Sequence, residues 1–281
     1  MTPTVFLAVL AAAAMHATWN ALVKVRLDRF ASVTLMTMGT SVAALPFLPF
    51  VAFPSAEIWP WLAFSVFCLM GYKLCLVRAY ETGDFAQTYP LARGTAPLLV
   101  AIGGIFVVSE MPQPVAIAGI VVLCGGMLLM SFRGGGHLEP INHKAVGYAL
   151  ATSVFIAGYT LSDGKGARMA ESAGSYAAWL FLCDGLWSLV VFVMLRGRRA
   201  VEAAAGEWKM GLVTGALSAA AYSIAVWAMT KAPISSVAAL RETSILFAML
   251  ISVVALGESL TRWRTTAALA ILAGMVALRL A

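Results

Sequence analysis

The sequence predicts an all-α integral membrane protein with ten transmembrane helices arranged as two inverted five-helix repeats. Three observations predict it. Composition is the first: 61% of the 281 residues are apolar and 11% charged, with a mean hydropathy of +0.89, outside what a domain in water tolerates. Length is the second: a span needs about 20 apolar residues, so ten spans take about 200 and leave only short connections, with no room for a soluble catalytic domain. The third is internal repetition at an offset of 148 positions, set out below.

Each element is a long apolar stretch ended by charge, glycine or proline. The first, 3–23, stops at Lys24, Arg26 and Arg29; its start resembles a signal peptide, but no basic segment precedes it, so it is expected to remain a span. Spans 31–53 and 58–80 follow, and Gly83-Asp84 leads into 86–109, which ends in Ser109-Glu110. The fifth, 113–132, runs into Arg133-Gly134-Gly135-Gly136-His137-Leu138-Glu139-Pro140, the one break in composition. Spans 144–164, 173–195 and 208–230 come next, then 233–256 after Ala232-Pro233, and 262–280 after Gly257-Glu258. Residues 1–132 thus form one five-helix unit, 133–143 a glycine-rich connection and 144–281 a second unit. A transmembrane barrel is excluded because the segments are continuously apolar instead of alternating over about ten residues.

The offset lays Leu91-Ala92-Arg93-Gly94-Thr95 on Ala239-Leu240-Arg241-Glu242-Thr243, Ser109-Glu110 on Gly257-Glu258, and Gly126-Met127 on Gly274-Met275. A unit with an odd number of spans ends on the side opposite its start, so its copy enters the membrane upside down. Inverted repeats with a site at their interface are a recurring architecture of secondary transporters, since two near-equivalent halves can exchange shapes and expose the site to each side in turn.

Three pieces of sequence resemble the EamA branch of the drug/metabolite transporter superfamily: His16-Ala17-Thr18-Trp19-Asn20-Ala21; Gly83-Asp84 with Tyr89-Pro90-Leu91-Ala92-Arg93-Gly94; and Ala232-Pro233 with Ala239-Leu240-Arg241-Glu242-Thr243-Ser244 and Gly257-Glu258. The resemblance covers nearly the whole chain. It implies a small-molecule carrier of the inner or plasma membrane, usually an exporter, with a central cavity lined by both halves; it names no substrate. Many carriers of that superfamily keep both termini in the cytoplasm. Here the odd-numbered connections hold 12 Lys and Arg residues and the even connections with the tail hold 4, which by the positive-inside rule turns the termini outward.

Ionisable side chains inside a span are costly unless paired or facing a wet cavity, so each is a site candidate. Arg93 and Arg241 lie at matched depths from opposite faces, and a planar donor fork suits a carboxylate, phosphate or phosphonate. The alternative for both is an ion pair with Asp184 or Glu242 that locks helices together. Asp184 is either a proton-coupling carboxylate or the counter-ion of Arg93, Lys73 or Arg241. His16 is either a proton carrier and cavity donor or a packing residue. His16, Trp19, Asn20 and Val23 share one stripe of the first helix, and Tyr159, Thr160 and Asp163 form the corresponding stripe of the sixth. Tyr72, Lys73, Tyr89, Tyr222 and Trp227 extend this lining of aromatic faces and few polar groups, which fits a small organic solute. The set of candidate substrate-binding residues is therefore His16, Trp19, Asn20, Tyr72, Lys73, Tyr89, Arg93, Tyr159, Asp163, Asp184, Tyr222, Trp227, Arg241 and Glu242.

Trp59, Trp61, Trp208 and Trp263 sit at span ends and read as interfacial anchors. Glu110 and Glu258 read as partners for backbone or a neighbouring arginine. Gly103-Gly104 and Gly125-Gly126 suit close helix approach, while Pro90, Pro97 and Pro233 suit kinks. Cys68, Cys75, Cys124 and Cys183 lie in apolar runs without a CxxC pair and read as packing residues. The reading is a secondary transporter of an amino acid or related carboxylate or zwitterion, exporting by alternating access with protons as the coupling ion. Its partners are that solute, protons, the bilayer and a second copy of the chain, with no cofactor, metal or nucleic acid. The rivals are a carrier of drugs, quaternary amines or phosphonates, and a non-transporting accessory or sensor subunit. An enzyme would need a nucleophile with its base or a metal cluster; GxSxG and HExxH are missing, and His137 and His143 lie in the central connection.

Overall fold

A computed structural model describes residues 1–22, 29–83, 85–133, 142–256 and 261–281. Val23, Asp84, the connection from Gly134 and the Gly257-Glu258 pair fall outside them. The described helices are α1 (Pro3–Leu22), α2 (Arg29–Ala44), α3 (Trp59–Thr82), α4 (Phe85–Val107), α5 (Pro114–Arg133), α6 (His143–Met169), α7 (Ala173–Arg196), α8 (Arg198–Ala205), α9 (Trp208–Met229), α10 (Ile234–Arg241), α11 (Ser244–Leu256) and α12 (Arg262–Leu280). No strand occurs among the described residues. Among the described residues nine helices are long and apolar enough to cross a membrane, counting 234–254 as one, and Pro114–Met130 is a shorter apolar helix.

The boundaries depart from the sequence reading at four places, each with a local cause. The second span ends as a 3-10 helix, Leu45–Phe50, because Pro46 and Pro49 lack the N–H that an α-helical turn requires. The sixth helix begins on an Asn142 cap, whose side chain accepts from the Lys144 N–H at 3.0 Å. It then runs past the expected end at 164 to Met169, since Arg168 finds the Met229 and Ala232 carbonyls at 2.8 and 3.1 Å and needs no water. A short helix, α8, occupies part of the basic connection after the seventh span. The ninth span is broken: Glu242 and Thr243 are a turn between α10 and α11, and the break begins nine residues after Pro233, not at the proline itself. Pro90 and Pro97, by contrast, lie within a continuous α4.

Packing between the halves is reciprocal. α3 packs on α6 as α1 packs on α9; α4 packs on α6 as α10 and α11 pack on α1; α2 packs on α9 as α3 packs on α7; and α2 with α7 and α5 with α12 pair directly. Small residues make two of these contacts backbone-close. A Cβ built on Gly39 of α2 would collide with the Gly211 carbonyl of α9, and one on Gly274 of α12 would meet the Gly119 carbonyl of α5 at 2.6 Å. Outward-facing side chains are large and apolar, including Phe50, Phe106, Met194, Val254 and Leu280, as a surface in contact with lipid requires.

Candidate functional site

Eight helices, α1, α2, α3, α4, α6, α7, α9 and α10, surround one cavity of about 230 Å³. α1 contributes His16, Trp19 and Asn20 from one stripe, as their spacing dictates, and His16 and Trp19 meet edge to face with centroids 5.0 Å apart. Leu69, Tyr72, Lys73, Leu76 and Tyr80 recur at helical spacing along α3. Tyr89 and Arg93 come from the first half of α4, Tyr159 from α6, Asp184 from α7, Tyr222 from α9 and Arg241 from the end of α10. The rings of Tyr72, Tyr159, Tyr222 and Phe181 form a chain of edge and tilted contacts, each with centroids 6.0–6.2 Å apart.

Burial of charge in this wall is compensated pair by pair. Lys73 Nζ donates to both Asp184 oxygens at 2.7 and 2.8 Å and to the Ser188 hydroxyl at 2.8 Å. Arg93 Nε donates to Glu242 Oε2 at 2.8 Å. Both pairs join one half of the chain to the other, and Lys73, Arg93, Asp184 and Glu242 are all buried. Removing one member of such a pair leaves the other as an uncompensated charge, so these contacts hold the halves together at the cavity wall. Of the two readings open for Asp184, the structure places it against Lys73. Arg93 is likewise against Glu242.

Arg241 differs. It is half-buried, and among the described residues it has no carboxylate and no hydrogen-bond partner; its guanidinium carbon lies 4.9 Å from the centre of the Tyr222 ring. The Tyr222 hydroxyl in turn donates to Asp163 Oδ2, and the Tyr176 hydroxyl donates to Asp163 Oδ1 at 2.9 Å.

Three candidates do not line the cavity. Asp163 is fully buried behind Tyr222, its oxygens occupied by the two tyrosine hydroxyls. Trp227 turns away and packs on the apolar cluster of Val5, Val9 and Ile234. Glu242 is covered by Arg93 in the turn after α10. The α2 face, Ser32, Val33, Met36, Thr37 and Thr40, was not anticipated, although hydroxyl residues at spacings of three and four along the second span mark it.

The first repeat lines the cavity mainly with the C-terminal halves of α1 and α3 and the N-terminal halves of α2 and α4, and the second repeat with the middle of α6, α7 and α9 and the end of α10. At the end shared by the termini, Glu110 Oε2 accepts from the Ile234 N–H at 2.9 Å and Oε1 meets Arg168 at 2.6 Å. Thus Glu110 does partner backbone and a neighbouring arginine, at the first turn of the same short helix that ends in Arg241. Among the described residues no cluster of three or more His, Cys, Asp or Glu side chains could hold a metal ion, and the four cysteines are free thiols.

A family model described as the EamA-like transporter family matches residues 3–132 and again residues 143–280. No curated protein matches the chain. Among solved structures, one described only as "Crystal structure of protein" is 17% identical, aligns over 100% of this chain and 98% of its own, and superposes with a TM-score of 0.75; at that identity the likeness concerns the fold.

Proposed function

The chain belongs to the EamA-like transporter family, and from that premise we propose that it crosses the membrane ten times as two inverted repeats and carries a small carboxylate or zwitterion, an amino acid or a close relative, by alternating access. Export across the inner or plasma membrane is the direction the resemblance implies. One observation carries the substrate class: within a cavity whose other lining charges are paired, Arg241 presents a guanidinium without a carboxylate. A carboxylate would complete that group with two parallel hydrogen bonds, and the ring chain of Tyr72, Tyr159, Tyr222 and Phe181 would cover an apolar or cationic remainder of the solute. Reciprocal packing of the halves supports the inverted repeat, because each helix has a counterpart that makes the same contact from the other side.

The aromatic wall also favours a second solute class, quaternary amines, which Arg241 would repel. Thermal unfolding of the purified protein against carboxylates, amino acids, phosphonates and quaternary amines separates them, since a ligand of the folded state alone raises the melting temperature. A carboxylate-dependent rise that vanishes in Arg241→Ala is expected, followed by flux of the same solute into proteoliposomes. A rise that survives Arg241→Ala, or one given only by quaternary amines, overturns the carboxylate reading. Binding without flux would leave a sensor.

A further inference from the structure

We infer that Asp163 is a proton site linked to the cavity through Tyr222, and that a carboxylate docking on Arg241 brings one proton onto Asp163. The inference rests on the carboxylate reading above. Three cations and three carboxylates lie at or behind the cavity wall, and four of these groups are in contact as Lys73–Asp184 and Arg93–Glu242. The remaining two, Arg241 and Asp163, do not touch. Tyr222 stands between them, its ring under the guanidinium at 4.9 Å and its hydroxyl on Asp163 Oδ2. Among the described residues Asp163 is the only one of the three carboxylates with no cation in contact, and it is also the most buried.

The groups facing Asp163 come from every side: Ser65 and Cys68 of α3, Tyr176 of α7, Tyr222 of α9 and Arg241 of α10. The one full positive charge among them is Arg241. In a medium of low dielectric its field reaches the carboxylate across one phenol ring and offsets the cost of keeping it ionised. A solute carboxylate on Arg241 cancels that field, and an ionised Asp163 is then left without a counter-charge in an apolar interior. A proton restores neutrality. It comes from solvent in the cavity: Tyr222 passes its hydroxyl proton to Oδ2 and takes the solvent proton on the same oxygen, so the tyrosine is unchanged and the carboxylate becomes the neutral acid. The loaded protein then carries the same net charge as the empty one, and a proton moves with each anion.

The test uses benzoate and the full-length protein. Titration calorimetry in two buffers of different ionisation enthalpy gives the protons taken up per benzoate bound, and about one is expected, with affinity falling toward tenfold per unit rise in pH, the limit for one linked proton. Asp163→Asn is expected to bind benzoate with no proton uptake and a flat pH profile. Tyr222→Phe keeps the ring but removes a hydroxyl that donates to the ionised carboxylate, so more of Asp163 is protonated before benzoate binds and the proton count is expected to fall even should the asparagine variant fold poorly. Uptake that persists in both variants, or that is lost in Asp184→Asn or His16→Gln while Asp163→Asn retains it, overturns the assignment. Benzoate binding that is absent, or that survives Arg241→Ala, removes the carboxylate reading and this inference with it; binding that requires Arg241 yet carries no proton removes this inference alone.

Discussion

Arg93 and Arg241 occupy equivalent positions of the repeat, yet only one of them has an acidic partner, and the cause is a single unmatched position. Glu242 follows Arg241 in the second half, where it turns across to take Arg93 at 2.8 Å; the corresponding residue after Arg93 is Gly94, which has no carboxylate to return. Arg93 is therefore ion-paired, whereas Arg241 has no carboxylate in contact among the described residues. The sequence alone treats the two as a matched pair, with the same two readings open for both. Geometry separates them. Arg93→Ala leaves Glu242 buried and uncompensated and is expected to cost about 3–5 kcal/mol of stability, whereas Arg241→Ala is expected to melt close to the parent. Thermal unfolding in detergent checks this. The double variant Arg93→Ala with Glu242→Ala should recover part of the loss, because the coupling between neighbours is what the single variant breaks.

At the scale of helices, contact between the halves depends on glycines whose missing Cβ is filled by a neighbour's backbone. Gly39 and Gly215 bring α2 and α9 together, with the Gly39 carbonyl carbon where a Cβ on Gly215 would stand. Gly39→Ala would force a methyl onto the Gly211 carbonyl, and the backbone cannot move aside without parting the two helices; the variant is expected to fail to purify as a monodisperse species. Gly125→Ala meets nothing within 4 Å and is expected to keep or slightly raise the melting temperature, since alanine holds a helix better than glycine by about 0.5–1 kcal/mol. Equal behaviour of the two on size-exclusion chromatography would refute the packing argument. Of the glycine pairs that the sequence singles out, Gly103 and Gly126 are in close contact while Gly104 and Gly125 are not, because run composition does not say which side of a helix faces a partner. Span positions were legible for the same reason that the partners were not: apolar length is a local property, and the pairing of α2 with α9 is not. The break at Glu242–Thr243 escaped notice because the turn is stabilised by Arg93, 149 residues away. The cavity stripe of α1 was legible from spacing alone; the Tyr222 bridge to Asp163 needed three helices brought together.

Across the whole molecule, the position of the cavity and the distribution of basic residues make one statement about orientation. In the first repeat the lining residues lie toward the connection between α1 and α2 and that between α3 and α4, on the face whose connections hold 12 of the Lys and Arg residues, while Glu110 and Arg168 pair at the face shared by the termini. By the positive-inside rule the first face is expected to be cytoplasmic, and on that reading we propose that the cavity opens toward the cytoplasm while the outer end is shut. Cysteines introduced singly at Ser32, in the cavity wall, and at Met169, exposed at the closed end, report the two faces once the four native cysteines are replaced. A membrane-impermeant maleimide is expected to label the Ser32 position in inverted vesicles and the Met169 position in intact cells. The reverse pattern would place the termini in the cytoplasm, as in many relatives, and would mean that basic side chains near the connections do not orient this chain. Solute added to the vesicles should then lower labelling at Ser32, because a ligand that shifts the balance between the two states can do so only by binding one of them better.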